Sequence, residues 1–176
     1  MEFINEPFNV QLLPKVEEVS LTPIEKTYLT VIRIEWAISS VVLLVVAAVL
    51  IFSIRPLQQP LWIIAIVVIW LALTVGYAFV QTKSVTHKAY ALRDKDVIFR
   101  SGWIVQKTST CPFNRIQHSS VSTGLFERKF GLATLNLYTA GTDDSDLQIP
   151  GLKESDAYTM KEWITQKIIH EDERGT

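Results

Sequence analysis

Arg115, Gln117 and His118 place a guanidinium, a carboxamide and an imidazole within four residues, spaced around the apolar Ile116. An arginine and a glutamine two apart on a strand lie on one face, and together they can grip a lipid phosphate or a partner carboxylate through charge-assisted hydrogen bonds. The simpler expectation is that both side chains satisfy backbone groups in the loop that follows Asn114. A second basic pair, Arg128 and Lys129, follows Gly124 in a short segment that also holds Leu125, Phe126 and Phe130. It could meet anionic headgroups, but a solvated pair beside apolar packing contacts is the plainer reading.

Other arrangements that could carry chemistry fall away one by one. His118, Ser119 and Ser120 with the nearby aspartates can be drawn as a hydrolase triad, but nothing around them resembles a strained nucleophile elbow. His87, His118 and His170 lack metal-ligand spacing. Asp143, Asp144 and Asp146 lack the glycine and distal glutamate of a calcium loop, and read as a hairpin turn. A single cysteine, Cys111, excludes an internal disulfide and any cysteine-based metal site within one chain. No catalytic, cofactor or metal site is expected, and the chain reads as something other than an enzyme.

Two blocks dominate the elements that must position these groups. Residues 36–54 and 61–80 contain no charged residue, and each is long enough to cross a hydrocarbon core of roughly 30 Å as a helix. Arg33, Glu35 and Arg55 bracket the first block and Lys83 closes the second. Buried helices of a soluble protein would show a polar stripe, and here only Ser39, Ser40, Ser53, Thr74 and Tyr77 interrupt the apolar surface. No ionisable residue lies within either block, which argues against a pump or an ion relay. Ala72 and Gly76, four apart, permit close helix contact.

The short link between the blocks forces a helical hairpin, so both ends emerge on one side. Lys26 and Arg33 precede it, Lys83, Lys88, Arg93, Lys95 and Arg100 follow it, and the link offers only Arg55. The positive-inside rule then places both termini in the cytoplasm and the protein, multi-pass, in the inner membrane. The acidic N-terminus argues against a cleaved signal peptide. Thr22, Pro23 and Glu25 look like the capped start of the first helix.

After Lys83 the pattern changes to short strands. Val97 and Phe99 alternate with Ile98 and Arg100 and lead into Trp103, Ile104 and Val105. Residues 107–111, 116–122, 133–139 and 146–149 follow, and Pro150-Gly151 is expected to break the last. A helix over 154–170 presents Ala157, Met160, Ile164 and Ile168 on one face, with Trp163 beside it. About six antiparallel strands and one amphipathic helix outline a small barrel closed by that helix.

Basic residues outnumber acidic ones over 83–129, and the balance reverses over 130–176. The basic half adjoins the membrane segment, which suits an anionic leaflet. Arg93 and Lys95 alternate with Asp94 and Asp96, so specific inositide binding is not expected. The formal net charge of −1 argues against a general nucleic-acid binder.

Four ordered motifs carry a family resemblance: Cys111-Pro112-Phe113-Asn114-Arg115-Ile116-Gln117-His118, Gly124-Leu125-Phe126-Glu127-Arg128-Lys129-Phe130-Gly131-Leu132-Ala133, Leu137-Tyr138-Thr139-Ala140-Gly141, and Ile149-Pro150-Gly151-Leu152. Together they resemble the bacterial PH-like family bPH2, and the two preceding spans are similar to its YdbS-type membrane members. The resemblance implies a PH-like barrel over 84–170, behind a lead over 1–21 and a hairpin over 22–83, with an acidic tail over 171–176. It also implies pairing with a larger multi-span membrane protein of the same family that bears similar domains, and some relatives are associated with protection against membrane-active bacteriocins; a homo-oligomer is a separate expectation. No catalytic residue is carried over. The expected role is a membrane-anchored interaction module; direct sensing of anionic lipid is the alternative. Candidate contacts are Arg115, Gln117, His118, Arg128 and Lys129.

Overall fold

A computed structural model describes residues 19–139 and 147–172. The lead over 1–18, the acidic turn at 143–146 and the tail beyond 172 lie outside them. Two long apolar helices come first, α1 (Tyr28–Ser53) and α2 (Pro60–Thr86). A 3-10 turn, Arg55–Gln58, joins them. Pro60 opens α2 where its missing N–H costs no helical hydrogen bond. Both helices are long and apolar enough to cross a membrane, and their apolar side chains point outward with almost nothing to cover them.

The seam between the helices is built from the few polar and aromatic residues. Trp36 stacks on Tyr77 with ring centroids 4.0 Å apart. Ser40 Oγ lies 3.5 Å from Thr74 Oγ1, and Arg33 donates to Thr82 Oγ1 at 3.2 Å. Without water, such contacts and close packing hold helices together where apolar surface alone cannot. Ala72 and Gly76 take no part: both are exposed, and a Cβ built at Gly76 would meet nothing within 4 Å.

The remaining strands are β1 (Thr22–Pro23), β2 (Ala89–Leu92), β3 (Asp96–Ser101), β4 (Lys107–Pro112), β5 (Ile116–Ser122), β6 (Leu132–Thr139) and β7 (Leu147–Lys153). They form two antiparallel sheets, β1-β2-β3-β4 and β5-β6-β7. The barrel expected from the strand count does not close. A 3-10 turn at Phe113–Arg115 redirects the chain after β4, so β5 pairs with β6 and not with β4. The two sheets share one core: Val97, Phe99, Cys111 and Phe113 meet Ile116, Leu135, Leu137 and Ile149. Helix α4 (Glu154–Asp172) covers it with Ala157, Met160 and Ile164, the face its spacing predicts. Trp163 and Ile168 are half-buried against the same core, and the Trp163 ring meets Phe113 edge-on at 5.4 Å.

Two local expectations are corrected. Thr22 and Pro23 do not start a helix; they pair with Tyr90 and Ala89 as an edge strand, where Pro23 needs no ladder donor, and α1 begins at Tyr28. Helix α2 runs on to Thr86. Pro150 and Gly151 do not end the last strand. Ala133 pairs with Leu152 and Leu135 with Ile149, so Pro150 and Gly151 bulge opposite Thr134, with Gly151 at φ +69. That left-handed position is one glycine occupies at little cost. Trp103, Ile104 and Val105, into which β3 leads, form the turn into β4.

Candidate polar recess and basic helix

Strand β5 divides the sequence-derived candidates between its two ends. At its start, Arg115 closes the 3-10 turn Phe113–Arg115, and Ile116 drops into the core. The register then slips: Ile116 pairs with Thr139 and His118 with Tyr138, which leaves Gln117 as the extra residue of a β-bulge. A bulge re-aims the side chain it carries. Here Asn114, Arg115, Ile116, Gln117 and Thr139 line an open polar recess of about 430 Å³.

Arg115 and Gln117 are exposed, and among the described residues neither makes a side-chain hydrogen bond or ion pair. Satisfaction of loop backbone groups therefore does not account for them. His118 is exposed beside the recess, its ring stacked on Tyr138 at 4.2 Å. The arrangement presents a cation, an amide and an aromatic pair, a donor set that suits a carboxylate or phosphate oxygen. It has no nucleophile held against a base, and no cluster of metal-ligating side chains occurs among the described residues.

At the other end of β5 sits α3 (Leu125–Lys129), which packs beside α1 and β6. Its buried residue, Glu127, is not among the five candidates. Glu127 accepts hydrogen bonds from the Gly124 amide at 2.8 Å and from Thr134 Oγ1 at 3.1 Å. The signal was the spacing of Gly124 and Glu127, with an acid at the third helical position to reach back to the cap amide. Leu125, expected as a packing contact, is 82% exposed instead. Arg128 and Lys129 are exposed and make no ion pair among the described residues. The recess stands at the start of β5 and this pair beyond its end, with a strand of seven residues, roughly 20 Å, running between the two ends, so the five candidates do not form one site.

The two ends differ in their relation to the long helices. Glu25, just before α1, donates its amide to the Gly151 carbonyl at 2.9 Å and faces Lys153 at 3.5 Å. At the β3–β4 turn, Trp103 meets Phe79 of α2. The Gly151 contact lies at the α3 end, since Gly151 stands opposite Thr134 near the start of β6, and the Trp103 contact ties the other sheet to α2. The recess follows the far end of β4, where the Phe113 amide donates to the Lys95 carbonyl at 3.0 Å, some 17 Å along the strand from the Trp103 turn. Near the helices, Lys88 lies over the Tyr28 ring at 5.4 Å, and burial pushes its ammonium below the ordinary lysine range. Beside it the Tyr90 phenol is pushed up by burial, with smaller contributions from Asp156 and Glu25.

Comparison with known proteins agrees with this architecture. The family model described as Bacterial PH domain matches residues 29–168. The transmembrane protein YdbS of Bacillus subtilis (strain 168) is 32% identical over 135 residues, which cover 75% of this chain and 82% of that protein. No solved structure matches.

Proposed function

The chain belongs to the bacterial PH domain family bPH2, and from that membership we propose that it acts as the membrane-held subunit of a larger complex, with no turnover of its own. The observation that carries this reading is the place of the recess. Arg115 and Gln117, without a side-chain partner among the described residues, stand at the end of the domain remote from the long helices, where an aqueous protein segment reaches them more readily than a headgroup. The partner chemistry that fits is a carboxylate on another protein, and a second family member supplies the simplest such surface. The spans hold no charge for transport, which supports a subunit role.

Arg115→Ala is expected to weaken recovery of the partner from detergent extracts while the full-length protein keeps its melting temperature. Breaking a buried charge-assisted bond from one side of an interface costs about 2–5 kcal/mol, or at least about 30-fold in affinity. Unchanged recovery with unchanged stability would remove Arg115 from the interface. A full-length protein that stays monomeric and partnerless, yet active in cells lacking every relative, would end the subunit reading.

Direct binding of anionic lipid is the second reading, and Arg128 and Lys129 favour it, because α3 lies beside α1. Arg128→Glu with Lys129→Glu should then abolish any preference of the reconstituted protein for anionic vesicles; an unaltered preference excludes the pair. The resemblance suggests protection against membrane-active peptides as the process served, which a deletion strain challenged with such a peptide would test.

Topology follows the charge distribution. Both termini are assigned to the cytoplasm, since lysine and arginine gather outside the link between the helices. A reporter fused after Thr176 that works only in the periplasm should be silent; activity would invert the assignment.

A further inference from the structure

The β3–β4 hairpin ends in an apolar tip that no described part of the chain covers. Ile104 is 79% exposed and Val105 78%. Scattered apolar residues are normal on a protein surface, so position decides what these two mean. Trp103, next to them, meets the Phe79 ring edge-on with centroids 5.6 Å apart. Phe79 lies in the uncharged part of α2, four residues before Lys83, which is about 6 Å along a helix axis. The tip is thus held level with the margin of the apolar span. The turn itself is tightly fixed. Gly102 has φ +94, and a Cβ there would lie 2.0 Å from the Val105 carbonyl oxygen, so only glycine permits this path. Lys107, exposed at the base of the hairpin, stands where an ammonium can stay among phosphates while the tip goes deeper.

We propose that this tip enters the bilayer as a third membrane contact, with Trp103 at the interface and Ile104 and Val105 among the upper acyl chains of the leaflet that α2 leaves. Tryptophan favours that level, and aliphatic side chains gain by passing below it. A third contact off the helix axes would set the orientation of the domain against the bilayer. This inference does not depend on the partner reading, because the recess lies at the other end of the domain and lipid vesicles contain no partner.

The test uses the full-length protein in vesicles of phosphatidylcholine and phosphatidylglycerol. Val105→Cys in a Cys111→Ser background would carry a polarity-sensitive fluorophore, and Glu162→Cys, on an exposed position of α4, serves as the aqueous control. At 105 the emission should be blue-shifted and quenched by lipid spin-labelled near the top of the acyl chain; at 162 aqueous iodide should quench instead. Equal quenching of both positions by iodide would overturn the proposal and leave the tip a surface for protein. Because Cys111 is buried and its loss could disturb the fold, a photoreactive benzoylphenylalanine at Ile104 with Cys111 intact gives a second reading. Lipid adducts there uphold insertion; adducts to protein alone, or none, refute it.

Discussion

Replacing Ile164 with alanine lowers the stability of the folded domain by about 2–5 kcal/mol, the cost of truncating a buried aliphatic side chain and leaving a cavity. Ile164 has no exposed surface, and it sits between Met160 and the half-buried Ile168 on the face of α4 that covers both sheets. The loss therefore falls on the contact that joins the sheets, and neither sheet can close the core alone. Urea titration of the full-length protein in detergent, followed by tryptophan emission, measures it, because Trp163 rests on Phe113 in the same core. Thr159→Ala, at an exposed position of the same helix, is the control and should change stability by no more than about 0.5 kcal/mol. A change that small at Ile164 would mean that α4 is not docked as described.

Gly151→Val produces the second large effect, through a different cause. An added Cβ would lie 2.7 Å from Tyr28 Cγ and 2.8 Å from its Cβ, at a residue whose φ of +69 already disfavours side chains. Left-handed backbone costs a substituted residue about 1–2 kcal/mol, and overpacking adds about 1–3 kcal/mol. Gly131 separates the two terms: its φ is +64, but a Cβ there meets nothing within 4 Å. Gly131→Ala should therefore show the backbone cost alone. Gly151→Val should also pull Glu25 from the Gly151 carbonyl and speed trypsin cleavage after the exposed Lys26. Equal cleavage rates in the two variants would show that the Tyr28 contact does not hold the segment before α1.

Much of this fold is legible in the sequence because its signals are long or periodic. Uncharged runs gave α1 and α2, and the spacing of Ala157, Met160 and Ile164 gave the buried face of α4. The strand at Thr22 and Pro23 is not legible because two residues have no period, and a threonine before a proline also suits a helix start. Sheet closure depends on which edges meet, and that was decided by the turn at Phe113–Arg115, whose effect no strand pattern encodes. For the candidate site, the nearness of Arg115 and Gln117 was legible from spacing, whereas the bulge that aims Gln117 was not. Their separation from Arg128 and Lys129 needed the direction of β5.

The short pairing of β1 with β2 joins two segments that the chain makes far apart, one before the helical hairpin and one after it. No single cut can release the soluble part intact, since a fragment beginning after α2 lacks β1 and bares the outer edge of β2, an unpaired edge that invites association with other chains. The same interleaving fixes an order of assembly: Thr22 and Pro23 are synthesised before residues 89 and 90, so this edge of the sheet forms only after both long helices have been made.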